Sequence, residues 1–516
     1  MDLRKTALGI EFGSTRIKAV LLDEKYTPVA SGCFTWENSL VDGVWTYELS
    51  DAEKGLQACF AELKKDFEEK FSQKLTTVGV IGISGMMHGY LPFDKDFNQL
   101  ARFRTWRNTM TGEAAEKLSD LFGFNIPQRW SIAHLYQIVL NGEEHVKDIK
   151  YLTTLAGYFH MRLTGKHVMG VGEASGMFPI DSEKIDYNAE MLEKFYKLTG
   201  IRLTDILPKV MAAGDDAGSL TKEGALLLDP TGEFEYGIPM CPPEGDAGTG
   251  MVATNSVRVK TGNVSAGTSD FAMVVVDRPL GVHREIDMVT TPDGAPVAMV
   301  HCNNCTGDID AWVKLFAEFA SAAGIEINKG KLYDLLYFKA LEGDKDCGGL
   351  MNFNYLSGEG ITDLDSGRPM FMRTQNAKMT LANFTRTLLL STLATLKLGL
   401  DILTNEEHVE IDKLYGHGGF FKTPEVGQRL LSAAVGAPVS VMETAGEGGP
   451  YGMALLASFR LNSNGKTLPD FLDNDVFAGA KSVTLTADKD DCEGFDRFLA
   501  AYKKALPLER MATEVL

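Results

Sequence analysis

Along residues 6–23 apolar positions bracket a polar tip: ALGIEF runs into Gly13-Ser14-Thr15, and then Ile17, Ala19 and Leu21 alternate with their neighbours. The pattern predicts two strands joined as a hairpin. Residues 51–70 carry helical spacing, and Val78 to Ser84 is an almost continuous apolar run, as expected of a strand covered on both faces. The chain therefore opens as β-β-α-β. A similar cycle recurs over residues 257–276, where Ser265-Ala266-Gly267-Thr268-Ser269 separates two further strand patterns. Two polar-tipped hairpins so far apart predict two related lobes.

The second half is rich in helix. Over residues 377–404, Leu381, Phe384, Leu388, Leu389, Leu396 and Leu398 form a broad apolar stripe that predicts a core helix bracing the second lobe. A glycine turn after His417 then leads into a helix at 425–436 and a short strand at 438–442. A second glycine-rich turn opens another helix. PPEGDAGTG at 242–250 has the composition of a connection, which divides the chain into lobes at 1–255 and 256–516.

A length of 516 residues agrees with two lobes, since single cores stop growing at roughly 250–300 residues. The composition, 44% hydrophobic and 23% charged without low-complexity tracts, is that of a globular enzyme. A net charge of -19 excludes a nucleic-acid partner but not a nucleotide, whose phosphates can sit on backbone N–H groups and a divalent cation. Seven cysteines form no disulfide framework, and a reducing cytoplasm fits them best. The N-terminus lacks a signal-peptide core and no apolar run of about 18 residues is evident, so neither export nor a membrane partner is expected.

Several segments could carry chemistry. Glu11 at a strand end, followed by Gly13, Ser14 and Thr15, suits a magnesium-bound polyphosphate, although a plain hairpin turn has the same composition. Gly267, Thr268 and Ser269 offer a matching turn from the second lobe, and a phosphate chain clamped between lobes needs one turn from each side. Asp246, among small neighbours, is placed to accept a hydroxyl proton; it could equally serve as a turn-former. Met87, His88, Trp106 and Asn108 supply the mixture of hydrogen-bonding groups and apolar faces usual in a sugar pocket. Gly418, Gly419 and Lys422, then Gly448 and Gly449 within Ala445–Gly449, give backbone access for a nucleoside or merely cap helices. Cys302 and Cys305 have Cys-x-x-Cys spacing but no second ligand pair, so they read as two reduced cysteines.

In order and spacing these segments resemble the FGGY family of carbohydrate kinases over residues 8 to 458, within the superfamily of actin and the chaperone ATPases. The resemblance implies an α/β fold of two actin-like, ribonuclease H-like lobes around a cleft, with ATP and Mg2+ as cofactors. It implies Asp246 as general base, a metal near Glu11, phosphates on Gly267–Ser269, and the nucleoside against Gly418, Gly419, Gly448 and Gly449. The sugar would meet Met87, His88, Trp106 and Asp246. Met86-Met87-His88 is similar to the Gln-Met-His of xylulokinases, which implies a ketopentose, L-ribulose or D-xylulose. Three positions depart from the family pattern: Glu11 for Asp, Ala247 for an amide, and Asn108 for Asp. A sugar- or nucleotide-binding regulator and an actin-like ATPase are the alternative readings. A symmetric homodimer is the default expectation.

Overall fold

In the computed structural model, which describes residues 1–443 and 448–515, two mixed sheets carry the molecule. Ala445, Gly446 and Glu447 of the second glycine turn lie outside the described residues. The first sheet contains β1 (Ala7–Phe12), β2 (Arg16–Leu22), β3 (Pro28–Thr35), β4 (Val80–Gly85) and β5 (Glu244–Gly245), in the order β5-β4-β1-β2-β3. The hairpin β1–β2 and its neighbour β3 pair antiparallel, whereas β1, β4 and β5 run parallel. Every residue of β4 is buried, which is why its sequence is apolar without alternation.

The second sheet repeats this plan. Its strands are β6 (Thr261–Ala266), β7 (Asp270–Val275), β8 (Ile286–Thr290), β9 (Pro296–Cys302), β10 (Lys413–His417), β11 (Val439–Met442) and β12 (Ser482–Leu485), ordered β8-β9-β7-β6-β10-β11-β12. Removing the edge strands β8 and β12 leaves β9-β7-β6-β10-β11, the same hairpin, antiparallel third strand and two parallel strands as the first sheet. This is the two-lobed mixed α/β architecture the hairpin repeat predicts.

Five helices bear on the argument: α1 (Leu49–Phe71), α2 (Val171–Ser175), α3 (Asp246–Ala253), α4 (Leu381–Asp401) and α5 (Gly449–Asn462). Helix α4 is the predicted core helix. Its Thr380 N-cap accepts from the Asn383 N–H at 3.1 Å, and nearly all of its length is buried. Extended to Glu406, it is long and apolar enough to cross a membrane by composition, but 72% of that window is buried inside the protein. Its Arg386, fully buried, is paired with the equally buried Asp491 at 2.8 Å.

Helix α5 comes late in the chain yet covers the first sheet, packing on β1, β2 and β4 and along α3. Contact is close enough to require glycine. A Cβ on Gly9 would lie 2.2 Å from the Pro450 carbonyl oxygen and 2.4 Å from the Ala454 nitrogen. Leu468, Phe471, Leu472 and Phe477 join a core that holds Ala7, Val20 and Val80 of the first sheet together with Met273, Val275 and Met299 of the second, so residues 449–477 pack where the lobes meet. The lobes are also joined by the Arg129–Asp287 ion pair and by Asn125 Nδ2, which donates to the Ile286 carbonyl and to Asp287.

Candidate functional site

The strand register assembles the site. Glu11, Ser84 and Glu244 lie side by side on the parallel strands β1, β4 and β5, so the segments that follow each strand emerge at one sheet edge. After β4 the Met86 N–H donates to the Phe12 carbonyl at 3.0 Å, and the Met87 N–H donates to Asp246 Oδ1 at 3.2 Å. Asp246 opens α3, where unpaired N–H groups favour a carboxylate. Burial nevertheless pushes its pKa up to about 6, with the Met87 N–H opposing the rise. It is thus mainly ionised at pH 7 and still basic enough to take a proton.

Behind Asp246 lie two further carboxyl groups. Glu244 accepts the N–H groups of Gly172, Glu173 and Gly245 at 3.2, 2.9 and 3.3 Å, yet burial pushes it up to about 8. Glu173 on α2 is fully buried against Gly245 and Thr154, and burial, then the charges of Asp246 and Glu244, raises it well above the ordinary carboxylate range. It is held as a neutral acid.

The first hairpin tip is braced from three sides. Trp36 Nε1 donates to the Gly13 carbonyl at 2.8 Å, the Tyr47 hydroxyl to the Ser14 carbonyl at 2.5 Å, and Trp106 Nε1 to Ser14 Oγ at 3.3 Å. The Gly13 N–H itself is spent on the Arg16 carbonyl at 3.0 Å, closing the turn, so it is no free phosphate donor. Glu11 points into the cleft with its pKa pushed up to about 7, first by burial and then by the Asp246 charge. Across the cleft, a Cβ on Gly449 would come within 2.7 Å of the Glu11 carboxylate.

The second tip is held from behind: Cys305 N–H donates to the Thr268 carbonyl at 3.0 Å, and Thr306 N–H to the Gly267 carbonyl at 2.9 Å. Thr268 is exposed and Ser269 faces the cavity. On the neighbouring strand Ser265 pairs with His417, after which Gly418 turns with φ of 98°. Its Cβ would lie 2.4 Å from the Ala266 carbonyl oxygen, so the two turns touch. Gly448, with φ of 73°, leads into α5.

One cavity of about 380 Å³ between the lobes is lined by Glu11, Ser14, Met87, His88, Trp106 and Asp246 from the first lobe and by Ser269, Gly448 and Gly449 from the second half of the chain. Gly13, Thr15, Gly267, Thr268, Gly418 and Gly419 stand in the turns at its rim rather than in its wall. His88 holds a left-handed backbone (φ 69°), and its Nδ1 meets the Gly176 carbonyl at 3.1 Å. That acceptor assigns the proton to Nδ1 and leaves Nε2 as a lone pair; burial keeps the ring neutral. Trp106 is 38% exposed at the cavity mouth.

Two expected residues stand outside the cavity wall. Asn108 is 2% exposed, and its amide is committed to the Trp45 backbone, accepting from N–H at 2.9 Å and donating to the carbonyl at 2.8 Å. It ties the loop that carries Trp106 to its neighbour and does not reach the cavity. Lys422 is exposed outside the cavity wall. Conversely, Arg129, Phe271, Met299 and His301 line the cavity without belonging to any recognisable motif. His301 carries no sequence signal of its own beyond standing directly before Cys302. Cys302 and Cys305 themselves are free and buried, with thiol pKa values raised well above the usual range by burial.

Two mixed sheets of one plan, facing each other across a cleft of glycine turns and a lone aspartate, define the actin-like sugar-kinase class. Residues 6–231 match the N-terminal domain, and residues 262–461 the C-terminal domain, of the FGGY family of carbohydrate kinases. A xylulose kinase of Haemophilus influenzae is 22% identical over 418 residues, 77% of this chain and 79% of that protein. A solved xylulose kinase from Brucella ovis superposes with a TM-score of 0.80 at 18% identity, covering 98% of this chain and 100% of that one. A gluconate kinase from Lactobacillus acidophilus superposes with a TM-score of 0.79 at 16% identity, covering 97% of both chains. The chain belongs to the FGGY family of carbohydrate kinases, and it is a phosphotransferase acting on small carbohydrates with ATP.

Proposed function

We propose that this kinase phosphorylates a neutral ketopentose, L-ribulose or D-xylulose, with Asp246 as the general base. The observation that carries the reading is the Asp246 carboxylate, fixed by the Met87 N–H at 3.2 Å where the sugar segment of the first lobe meets the cleft. Asp246 would take the acceptor hydroxyl proton as that oxygen attacks the γ-phosphorus of ATP. The bond from the γ-phosphorus to the β,γ-bridging oxygen breaks, ADP leaves with the bond's electron pair, and the proton remains on Asp246 until solvent removes it. Ser14 and Thr15 on one side, and Thr268 and Ser269 on the other, would flank the phosphates, with the nucleoside towards Gly418, Gly419, Gly448 and Gly449.

A divalent cation suits Glu11. Its half-buried carboxylate has no hydrogen-bond partner among the described residues and shares the cavity with Asp246, whose charge together with burial outweighs that of Lys18 on the paired strand. Magnesium bound there would supply neutralisation of phosphate charge. The lengthened arm of glutamate moves that carboxylate towards Gly449.

Charge in the lining supports a neutral acceptor. Arg129 is the one cation among the described lining residues, and its guanidinium is already paired with Asp287. A sugar acid would find two carboxylates and no unpaired cation. Met87 and His88, similar to the xylulokinase segment, favour a ketopentose over glycerol. The test is ADP release coupled to sugar-phosphate detection across pentuloses, hexuloses, glycerol and gluconate with magnesium present. Faster turnover of gluconate than of any pentulose would overturn the acceptor assignment, and ADP release without sugar phosphate would mark a hydrolase.

A further inference from the structure

The cleft holds two chambers. The inner one, about 380 Å³, contains Asp246, and an outer one of about 810 Å³ lies beyond it. Trp106, Arg129 and His301 line both, and so form the neck between them. Two of the three are already engaged: Trp106 Nε1 donates to Ser14 Oγ at 3.3 Å, and Arg129 is paired with Asp287. His301 is different. It stands near the end of β9, is the neck's sole contribution from the second lobe, and has no hydrogen-bond partner for either ring nitrogen among the described residues. Its ring lies over Phe271, with centroids 6.5 Å apart and planes 16° from parallel.

Burial and the nearby Arg129 charge hold His301 neutral, with its pKa lowered to about 3. A neutral imidazole presents one N–H donor and one lone pair, the two functions a hydroxyl group complements. His88, which feels the His301 ring electrostatically, retains Nε2 alone because Nδ1 is bound to the Gly176 carbonyl. A half-buried ring with two unused polar atoms facing a polar cavity is free to hydrogen-bond a ligand there.

We propose that His301 is the specificity residue of the second lobe, hydrogen-bonding the acceptor hydroxyl distal to the one that Asp246 deprotonates. The inference rests on the sugar-kinase reading and deepens it: the acceptor is gripped from both lobes, through His88 and His301. Lobe closure then brings the distal hydroxyl and the phosphorylated hydroxyl into place together, so an acceptor lacking the distal group is selected against.

The experiment compares the wild type with His301→Phe, which keeps the stack on Phe271 and removes both polar functions, and with His301→Gln, which restores a donor and an acceptor. D-xylulose and L-ribulose are assayed with their 1-deoxy and 5-deoxy analogues. Whichever analogue still accepts phosphate lacks only the distal hydroxyl. His301→Phe is expected to raise the acceptor KM about tenfold or more, with the ATP KM changed less than about twofold and part of the loss recovered by Gln. The deoxy acceptor should be poor with the wild type and no poorer with the Phe variant. Unchanged acceptor KM in the Phe variant, or an equal loss for parent and deoxy acceptors, overturns the assignment while leaving the kinase reading intact. Absence of sugar phosphate with the wild type and every acceptor overturns the kinase reading, and this inference with it. Should the Phe variant not fold, Gln against wild type carries the comparison, since the amide keeps polar functions at altered positions and must shift the parent acceptor more than the deoxy one.

Discussion

Asp246→Asn removes the proposed base without disturbing its surroundings. The amide is the same size, its oxygen can still accept from the Met87 N–H, and α3 still begins at that residue, so ATP binding and the fold should be preserved. General-base assistance is typically worth about 10²–10⁴-fold, and turnover is expected to fall within that range. The structure adds a pH signature. With a pKa of about 6, Asp246 is about 90% ionised at pH 7 and about 10% at pH 5, so kcat/KM should approach a tenfold drop per pH unit below about 6. Glu11, pushed up to about 7, feels the Asp246 charge, so the acidic limb belongs to the pair rather than to either group. In the Asn variant the Asp246 part of the limb should vanish and the Glu11 step should move to lower pH. The assay is ADP release at saturating ATP from pH 5 to 8, with nucleotide affinity measured separately. Turnover within tenfold of the wild type, or an acid limb unmoved by the substitution, would refute the assignment.

Gly449→Ala should abolish turnover and weaken nucleotide binding while leaving the melting temperature within a few degrees, because its Cβ would press on the Glu11 carboxylate at 2.7 Å; wild-type kinetics would show that the cleft opens freely there. Glu173→Gln should remove a pH dependence of stability. The folded-state pKa of Glu173 lies above the unfolded one, so the native state holds an extra proton and stability declines as pH rises from about 4.5 towards the folded value. The variant should therefore melt at an increasingly higher temperature than the wild type as pH rises above about 4.5, and parallel curves would argue against a neutral Glu173. Asp491→Asn should cost about 3–5 kcal/mol in urea unfolding, because it leaves the buried Arg386 short of its partner. Asp491 is lowered to about 2, its contribution being present above the unfolded value and lost as pH falls through about 2, so the wild type alone should weaken steeply between pH 4 and 2. A flat profile in both would place the stabilising contacts elsewhere.

Local signals made the two hairpins and their sheets legible. Strands β1, β2, β6 and β7 announce themselves by alternation around small polar tips, and α4 by its leucine stripe, because each pattern depends only on near neighbours in sequence. The third strand of the first sheet escaped notice for the complementary reason. Pro28–Thr35 carries glycine, serine and cysteine in a half-exposed strand, so its pattern is weak although β2 pairs along almost all of it. Asn108 and Trp106 show the same limit at the site. Both sit in one polar loop, and only tertiary contact decides that the indole meets the cleft while the amide is consumed by the Trp45 backbone.

Helix α5 carries the consequence furthest. Chain order assigns it to the second lobe, where its opening glycines would only bind nucleotide, but its body is wedged against Gly9 of β1 and against α3. A Cβ at Gly452 would fall 1.9 Å from the Thr249 carbonyl oxygen, so α3 and α5 meet backbone to backbone at the base of the cleft. Asp246 is the first residue of one of these helices and Gly449 the first of the other. Because the proposed base and the proposed nucleotide turn are the ends of two rods in direct contact, movement of either rod shifts the distance between them. Gly452 against Thr249 lets the two backbones touch, so this seam is where the spacing of the two helices is set.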